Sequence, residues 1–266
     1  MEKFKQQYGP WALITGSGNG LGAEFARQLA AKGLHLLLVD RDADGLQRVA
    51  QELQQHFSVD VRTVAVDLSA PDFLTAIIAA ADGIEIGLVV NNAGISQLGL
   101  FDSKSIADHL AVVDVNVRAP LMLTHHFLPA MKQRGRGGLL FVSSLSALQG
   151  TSYVANYAAT KAWNLIFAEG LWDELRGSGV DVLGYLVGST RTPGFEQSRP
   201  RLERAPLVQV MEMPDTVRGA LAALGRGPSA VAGRNNTLAS AILSRLLPRR
   251  WAVRLVSGST RAMYGA

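Results

Sequence analysis

A glycine-rich turn joins the first apolar run of the chain to its first helical pattern. The run Trp11–Thr15 leads into a segment with glycine at four of its seven positions, and a helical pattern follows from Ala23. Glycine adopts positive φ angles and lets backbones approach closely, while the N-terminus of a helix offers free N–H groups to an anion. A strand, a tight glycine turn and a helix in this order predict a parallel α/β sheet with a phosphate-binding site at the turn.

The rest of the chain alternates short apolar runs with longer helical patterns. The predicted strands are Trp11–Thr15, His35–Val39, Asp60–Val66, Ile86–Val90, Leu139–Ser143 and Val180–Val187. Most of these runs are continuously apolar, which is typical of strands buried on both faces of a parallel sheet. The helical patterns between them cover about 20–32, 42–56, 70–82, 105–133, 152–176 and 214–225. We therefore predict an α/β protein with a doubly wound parallel sheet in three layers, the Rossmann fold.

The 266 residues are predicted to form one domain, 1–266, because no repeat or low-complexity linker interrupts the alternation. Four prolines break the stretch from residue 193 to residue 214. The segment 193–213 is therefore expected to be either a lid over the carboxyl edge of the sheet or a plain surface excursion. The segment 235–266 is expected to be a C-terminal extension of the domain.

Composition and cysteine content exclude several kinds of protein. Hydrophobic residues make up 48% of the chain and charged residues 18%, which supports a packed core and gives no sign of disorder. Cysteine is absent, so disulfide frameworks, thiolate nucleophiles and cysteine metal sites are excluded. No apolar run reaches the roughly 20 residues of a membrane span, and the first residues do not resemble a signal peptide. We expect a soluble, cytoplasmic protein.

The net charge of +4 conceals an uneven distribution of charge. Residues 1–198 carry 15 basic and 19 acidic side chains, whereas residues 199–266 carry 11 arginines and 3 acids. The basic excess suits an anionic partner, a membrane surface or an acidic subunit, although a solvated arginine-rich surface is the simplest interpretation. Nucleic-acid binding is not expected, because the chain has no reader motif. The five histidines have no metal-binding spacing, so no metal site is expected either.

An acidic residue follows the second predicted strand. Asp40 comes 18 residues after Gly22, where a carboxylate accepts hydrogen bonds from the hydroxyls of an adenosine ribose and repels a 2′-phosphate. Arg41 is placed to stack on adenine or, if it turns inward, to pair with that phosphate. Because the glycine turn contains no Lys or Arg, the sequence favours NAD as cofactor and leaves NADP open.

The spacing of Thr15, Gly16, Gly20 and Gly22 resembles the T-G-x-x-x-G-x-G turn of short-chain dehydrogenases/reductases. The resemblance covers roughly residues 10–195 and rests on several motifs in the family's order, including the N-N-A-G motif that ends at Gly94. It implies a nicotinamide dinucleotide cofactor. The implied cofactor contacts are Gly16, Ser17, Asn19, Gly20, Leu21, Asp40, Arg41, Asp67, Leu68, Asn92, Ala93, Gly94, Tyr157, Lys161, Gly188, Thr190 and Thr192.

Tyr157 and Lys161 are four residues apart in a predicted helix, which places both on one face with Cβ atoms about 5–6 Å apart. A nearby ammonium favours the ionised phenol, so Tyr157 becomes a usable proton shuttle. Ser144 lies 13 residues before Tyr157, the separation that the family uses for its catalytic serine. Asn116 matches the family asparagine that interrupts a helix and holds a water molecule. The resemblance thus implies a catalytic tetrad of Asn116, Ser144, Tyr157 and Lys161.

The segment after the sixth predicted strand departs from the family pattern. Gly188 and Thr192 keep their places, so Thr192 is the implied partner of the nicotinamide carboxamide. Val187 replaces the usual proline, and Thr190 stands where an apolar residue is common. Because proline mainly fixes backbone shape, we expect a slightly altered turn with retained activity.

Two functions are compatible with these residues. The first is an NAD(P)-dependent oxidoreductase that interconverts a secondary alcohol and a ketone, with an apolar substrate that is hydroxysteroid-like or aromatic. The alternative is a catalytically weak dinucleotide-binding sensor or scaffold on the same fold.

Two further expectations concern the partners of the chain. The resemblance implies a homodimer or homotetramer formed through the helices at 105–133 and 152–176, and apolar residues such as Trp163, Phe167 and Trp172 suit either that contact or the core. The run 238–251 suits an amphipathic helix with a basic end, which lies on a membrane, lines the substrate entrance or packs against protein. Packing is the expectation, and membrane association is not.

Overall fold

The computed structural model describes residues 2–206 and 208–265, so Met1, Leu207 and Ala266 of the predicted domain, lid and extension lie outside the described residues. The strands are β1 Trp11–Thr15, β2 His35–Asp40, β3 Val61–Ala65, β4 Ile86–Asn91, β5 Gly137–Ser144, β6 Val180–Val187 and β7 Ser229–Val231. They form one parallel sheet in the order β3-β2-β1-β4-β5-β6-β7. This confirms the predicted doubly wound fold, in which ligands bind where the strand order reverses, at the carboxyl ends of β1 and β4.

Helices cover both faces of the sheet. They are α1 Glu2–Tyr8, α2 Gly20–Ala31, α3 Ala43–His56, α4 Phe73–Ala80, α5 Ile106–Val113, α6 Ala119–Arg134, α7 Ala155–Glu174, α8 Pro193–Gln197, α9 Met213–Ala223, α10 Arg234–Arg245 and α11 Arg249–Tyr264. The sequence analysis did not predict α1 or the three-residue strand β7. It also treated 105–133 as one helix, whereas a π-helical turn at Asp114–Arg118 separates α5 from α6.

The core has two layers, because alternate residues of the central strands point to opposite faces of the sheet. Ile14 of β1 belongs to the layer that packs against α2, α3 and α9. Leu13 belongs to the layer that packs against α4, α6 and α7. All five residues of β1 are buried, as predicted for an internal strand, whereas Val64 is the one buried residue of the edge strand β3. The buried central strands thus hold their carboxyl ends in fixed positions.

Two segments cover the carboxyl edge of the sheet. The predicted lid 193–213 contains the short helix α8 and a 3-10 turn at Leu202–Arg204. The C-terminal segment forms two helices, α10 and α11, where the sequence analysis expected one. No helix within the described residues is long and apolar enough to cross a membrane.

Candidate active site

The glycine turn lies between β1 and α2, where the chain passes close to itself. Gly16 and Gly20 have positive φ angles of 67° and 56°. A Cβ atom on Gly22 would lie 1.9 Å from the carbonyl oxygen of Gly16, so only glycine permits this approach. Asn19 is the exposed N-cap residue of α2, and Leu21 packs partly against the core. Within the described chain no side chain caps the first turn of α2, and its N–H groups suit a pyrophosphate.

Asp40 ends β2 and is joined to the glycine turn. Its Oδ2 atom accepts a hydrogen bond from the N–H of Gly18 at 2.9 Å, and its Oδ1 atom accepts one from the N–H of Asp42 at 3.0 Å. An ionised carboxylate has about four acceptor sites, so Asp40 retains capacity for ribose hydroxyls. The side chain of the next residue, Arg41, is exposed.

Asp67 follows the neighbouring strand β3 and is exposed. Its Oδ1 atom accepts hydrogen bonds from the N–H of Ser69 at 2.8 Å and from the Ser69 hydroxyl at 2.7 Å. These bonds hold the pKa of Asp67 below its usual value, and the positive charge of Arg41 lowers that pKa further. Asp67 and Arg41 therefore lie close enough to interact, beside the end of the sheet that was predicted to hold adenine.

Three predicted cofactor contacts have side chains that are used inside the protein. The N–H and the hydroxyl of Ser17 both donate to the carbonyl of Val39, each at 3.2 Å, so Ser17 supports the turn. Leu68 is buried in the core. Thr190 is also buried, and its hydroxyl donates to the carbonyl of Gly188 at 3.2 Å. For these three residues contact with the cofactor stays a prediction, and their side chains are already engaged inside the protein.

The end of β4 is joined to the glycine turn by Asn92. Its Nδ2 atom donates to the carbonyls of Thr15 at 2.9 Å and Gly16 at 3.2 Å. The N–H groups of Asn92 and Ala93 both donate to the Thr15 hydroxyl, at 3.1 and 3.0 Å. A Cβ atom on Gly94 would lie 2.9 Å from Nζ of Lys161, so this glycine adjoins the predicted catalytic lysine. The four residues predicted as the N-N-A-G motif therefore connect the cofactor turn with the catalytic helix.

Asn116 lies in the π-helical turn between α5 and α6 and is fully buried. Its Oδ1 atom accepts from the N–H of Ile95 at 2.9 Å, while its Nδ2 atom donates to the Ile95 carbonyl and to the Thr160 hydroxyl, each at 3.0 Å. Its own carbonyl accepts from Nδ2 of Asn164 at 2.8 Å. The side chain thus joins the segment after β4 to α7, and π-helical turns are frequently found at functional sites.

Ser144 ends β5 and lies close enough to the phenol of Tyr157 to lower its pKa. Its Oγ atom also accepts from the N–H of Ser146 at 3.2 Å and from the Ser146 hydroxyl at 3.0 Å. The sequence analysis did not predict a role for Ser146, because its neighbours match no catalytic motif. The structure therefore places the predicted serine beside the predicted tyrosine and adds a second hydroxyl that orients the serine.

Several surrounding groups set the pKa of Tyr157. Burial raises the pKa, the nearby hydroxyl of Ser144 lowers it, and the nearby phenol of Tyr264 raises it. The sequence analysis expected Lys161 to lower this pKa. In this structure the three effects above act on the phenol, so the influence of Lys161 on the pKa stays a prediction.

Lys161 is buried on α7, one helical turn after Tyr157. Its Nζ atom lies 5.7 Å from the centroid of the Tyr157 ring and donates to the carbonyl of Val142 at 2.8 Å. Burial lowers the pKa of Lys161 to about 8. Because that value is above neutral pH, the side chain is mainly a cation at pH 7.

Thr192 lies beside the glycine turn, since a Cβ atom on Gly20 would be 3.7 Å from the Cβ of Thr192. Its Oγ1 atom accepts a hydrogen bond from the N–H of Phe195 at 3.2 Å and caps α8. Gly188 lies against the side chain of Asn236, whose Nδ2 atom would be 2.9 Å from a Cβ there. The segment 188–192 therefore closes one side of the site.

The C-terminal helix α11 also lies beside the site, a contact that the sequence analysis left open. Oγ of Ser257 accepts from the N–H of Ser152 at 3.0 Å, and the carbonyl of Met263 accepts from the N–H of Arg201 at 3.1 Å. Tyr264 is near enough to Tyr157 to raise its pKa. The amphipathic run predicted at 238–251 covers most of α10 and only the first residues of α11, so it did not predict the contacts that α11 makes here.

A cavity of about 190 Å³ adjoins Tyr157. Its apolar lining includes Leu100 and Phe101, and its polar lining includes His109 and Asn156. His109 is buried, contacts the Phe101 carbonyl through Nε2 at 2.9 Å and stacks on the Phe101 ring at 4.3 Å, so it serves a structural role. The cavity is thus a mainly apolar space next to the predicted acid/base.

Comparison with curated proteins gives relatives that this chain matches over different shares of their length. A 7beta-hydroxysteroid dehydrogenase from Clostridium sardiniense is 28% identical over 233 residues, which cover 88% of this chain and 89% of that protein. A human very-long-chain 3-oxoacyl-CoA reductase is 32% identical over 202 residues, which cover 74% of this chain and 64% of that protein.

Comparison with solved structures gives the same fold. A 7beta-hydroxysteroid dehydrogenase structure superposes with a TM-score of 0.89 and 27% identity, covering 95% of this chain and 98% of that one. A Sphingobium yanoikuyae short-chain dehydrogenase in complex with NADPH gives a TM-score of 0.76 and 31% identity, covering 84% and 87% of the two chains. The short chain dehydrogenase family profile matches residues 10–203. The chain therefore belongs to the short chain dehydrogenase family and is an oxidoreductase.

Proposed function

We propose that this chain interconverts a secondary alcohol and a ketone with a nicotinamide dinucleotide, and that Tyr157 is its acid/base. The observation that carries the proposal is the grouping of the Ser144 hydroxyl, the phenol of Tyr157 and the buried cation of Lys161, whose Nζ atom lies 5.7 Å from the centroid of the Tyr157 ring. A proton-transfer group, a hydroxyl donor and a positive charge are the groups that reduction of a carbonyl requires.

The residues of the glycine turn fit a dinucleotide, because α2 begins with uncapped N–H groups next to glycines that no side chain can replace. The residues proposed to hold the cofactor are Gly16, Gly20, Asp40, Asn92, Ala93, Gly94, Lys161 and Thr192. When bound, the nicotinamide ring supplies the hydride donor or acceptor.

The residues of the chain handle the proton. In oxidation, Tyr157 takes the proton of the substrate hydroxyl while a hydride leaves the carbinol carbon, and reduction is the reverse. Ser144 donates a hydrogen bond to the substrate oxygen, where negative charge develops. Because burial raises the pKa of Tyr157, the phenol is protonated at neutral pH and ready to donate to a ketone.

Asp40 favours NAD(H) over NADP(H). Its carboxylate lies against the glycine turn and would repel a 2′-phosphate at the adenosine ribose. The exposed Arg41 provides the opposite charge next to it, and the Sphingobium relative is named as an NADPH complex. The choice therefore depends on whether Asp40 or Arg41 faces the ribose.

The substrate is apolar and hydroxysteroid-like. The cavity beside Tyr157 is lined by Leu100, Phe101 and Val112. The similarity to 7beta-hydroxysteroid dehydrogenases extends over most of both chains, with 88% of this chain matched in sequence and 95% in structure.

The test is turnover by the purified full chain with NADH and NADPH on a panel of 7-ketosteroids and aryl ketones. We expect the wild type to reduce the steroid ketone. In Tyr157→Phe we expect kcat to fall at least about a hundredfold, while the affinity for the cofactor stays unchanged. Tight cofactor binding without turnover on the whole panel would instead favour the sensor or scaffold function.

A homodimer forms through the outer faces of α5, α6 and α7. Leu110, Leu121 and Ile166 are exposed large apolar side chains on these helices. Phe167 and Trp172, which the sequence analysis considered, pack partly against the core instead. Sedimentation of the wild type and Ile166→Asp tests this contact, because the charged variant is expected to be monomeric.

A further inference from the structure

The end of the chain has a one-sided charge. Residues 216–266 contain eight arginines and no aspartate or glutamate. Most of this segment is the pair of helices α10 and α11, joined by Leu246, Leu247 and Pro248. Any surface that these helices present is therefore positively charged without internal neutralisation.

The helix α10 exposes an apolar stripe. Leu238 is 66% exposed and Ile242 is 42% exposed, and Leu246, which follows the helix, is 75% exposed. Residues four apart in a helix lie on the same face, so Leu238 and Ile242 form one row that Leu246 continues. Three large aliphatic side chains in one exposed row are unusual for a solvated surface.

The helix α11 carries a second exposed apolar row, with a tryptophan between arginines. Trp251 is 50% exposed and Leu255, four residues later on the same face, is 55% exposed. The guanidinium groups of Arg250 and Arg254 each lie 5.7 Å from the Trp251 ring. We call the exposed residues Leu238, Ile242, Leu246, Trp251 and Leu255, with Arg250 and Arg254, the C-terminal surface.

The opposite side of α11 already has a partner. Ala252, Ser257, Thr260 and Met263 are buried against the rest of the chain, and Ser257 bonds the backbone of Ser152. The helix is therefore fixed to the body of the protein by one face while it presents the C-terminal surface on another.

We propose that the C-terminal surface docks on the headgroup region of an anionic phospholipid bilayer. Apolar side chains enter the interface, tryptophan is favoured at the headgroup level, and arginines pair with lipid phosphates. This differs from the sequence expectation that the tail only packs against protein, because sequence alone did not show which residues stay exposed.

The charge argues against a second copy of the chain as the occupant. In a two-fold symmetric contact the same patch faces itself, so Arg250 and Arg254 would meet arginines of the partner on helices that carry no acid of their own. A lipid surface that carries negative charge avoids this repulsion.

The test is flotation of the full chain with vesicles of phosphatidylcholine, with and without phosphatidylglycerol. We expect binding only to the vesicles that contain phosphatidylglycerol, and weaker binding as salt rises. Replacing both Arg250→Gln and Arg254→Gln should weaken binding about 30-fold, given the contribution of each arginine near an anionic surface. Replacing both Leu238→Ser and Trp251→Ser should also weaken it.

The matched control is Arg48→Gln with Arg176→Gln, two exposed arginines elsewhere on the surface, which should bind vesicles like the wild type. Every variant is checked by thermal melting and cofactor titration, since the replaced side chains are exposed and the fold should persist.

Equal binding to neutral and anionic vesicles, or no binding at all, would overturn the proposal. The proposal would also be overturned if the wild type forms a dimer and the double variant Leu238→Ser, Trp251→Ser does not. The assay requires no turnover, so its outcome is independent of the proposed activity.

Discussion

The Nζ atom of Lys161 donates a hydrogen bond to the backbone carbonyl of Val142 at 2.8 Å, inside the protein. The partner is a neutral carbonyl at the end of a central strand, so it does not neutralise the ammonium charge. Burial therefore disfavours the charged form and lowers the pKa of Lys161 to about 8. A cation kept in this position at a cost in stability is typical of a functional group.

The lowered pKa makes a prediction about stability and pH. The folded chain binds the Lys161 proton less tightly than the unfolded chain, whose lysine has a pKa of about 10.4. The penalty for burying the cation is thus fully present below pH 8 and disappears as the pH rises toward 10.4. In Lys161→Met the penalty is absent, so the variant should be more stable than the wild type by up to ~3 kcal/mol at pH 7, with a difference that shrinks at alkaline pH.

Urea unfolding at a series of pH values measures this difference. Lys132→Met is the control, because Lys132 is an exposed lysine on α6 and its removal should give no pH-dependent change. A constant difference between Lys161→Met and the wild type from pH 7 to pH 10 would contradict the burial argument.

Tyr264 should influence the pH dependence of turnover. Its phenol raises the pKa of Tyr157, and its hydroxyl lies 3.5 Å from that of Ser198 in the segment with α8. Tyr264→Phe removes the phenol and keeps the ring, so the pH profile for alcohol oxidation should move to lower pH as the Tyr157 proton becomes easier to remove.

The Tyr264 prediction is tested by measuring kcat/KM for alcohol oxidation as a function of pH in the wild type and in Tyr264→Phe. Ser198→Ala is the control. That control removes only the hydroxyl next to Tyr264, so its pH profile should match the wild type. A profile that moves equally in both variants would show that the lid hydroxyl, and not the charge of Tyr264, affects Tyr157.

Much of this site could be predicted from local sequence patterns. The glycine turn and the strand-end residues Asp40, Asn92 and Ser144 were found, because a parallel sheet brings the carboxyl ends of its strands to one edge. Side-chain direction was not available from spacing, so the inward hydrogen bonds of the Ser17 and Thr190 hydroxyls were not predicted.

Structure beyond the central sheet was harder to predict. The strand β7 has only three residues, too few to give a periodic pattern. The contact of α11 with the site depends on long-range packing, such as the hydrogen bond between Ser257 and Ser152, which are 105 residues apart.

Asn116 should act as a positioning residue. Asn116→Ala would leave the N–H and carbonyl of Ile95 without their present partners and remove one bond to Thr160. Unpaired buried groups cost about 1–3 kcal/mol each, so we expect a loss of roughly 3 kcal/mol in the free energy of unfolding. Urea unfolding and hydrogen exchange at the Ile95 amide measure it.

Asn235→Ala is the control for Asn116→Ala, since Asn235 is exposed and its removal should change stability little. The exchange measurement separates a local role from a general loss of packing. If exchange at Ile95 stays as slow as in the wild type while stability falls, Asn116 does not hold this segment.

Asp40 should determine the choice between NADH and NADPH. Asp40→Asn keeps the shape of the side chain and removes its negative charge, so the repulsion of a 2′-phosphate disappears while an oxygen remains to accept from Gly18. Hydrogen bonds to a charged group contribute about 1.5–3 kcal/mol, so NADH affinity should fall roughly 10-fold or more, while NADPH affinity rises.

Fluorescence titration of both cofactors measures the two dissociation constants. Asp173→Asn is the control, because Asp173 is an exposed acid near the end of α7, away from the glycine turn, and its charge should not affect the ratio. A wild type that already prefers NADPH would mean that Arg41 faces the ribose and outweighs Asp40.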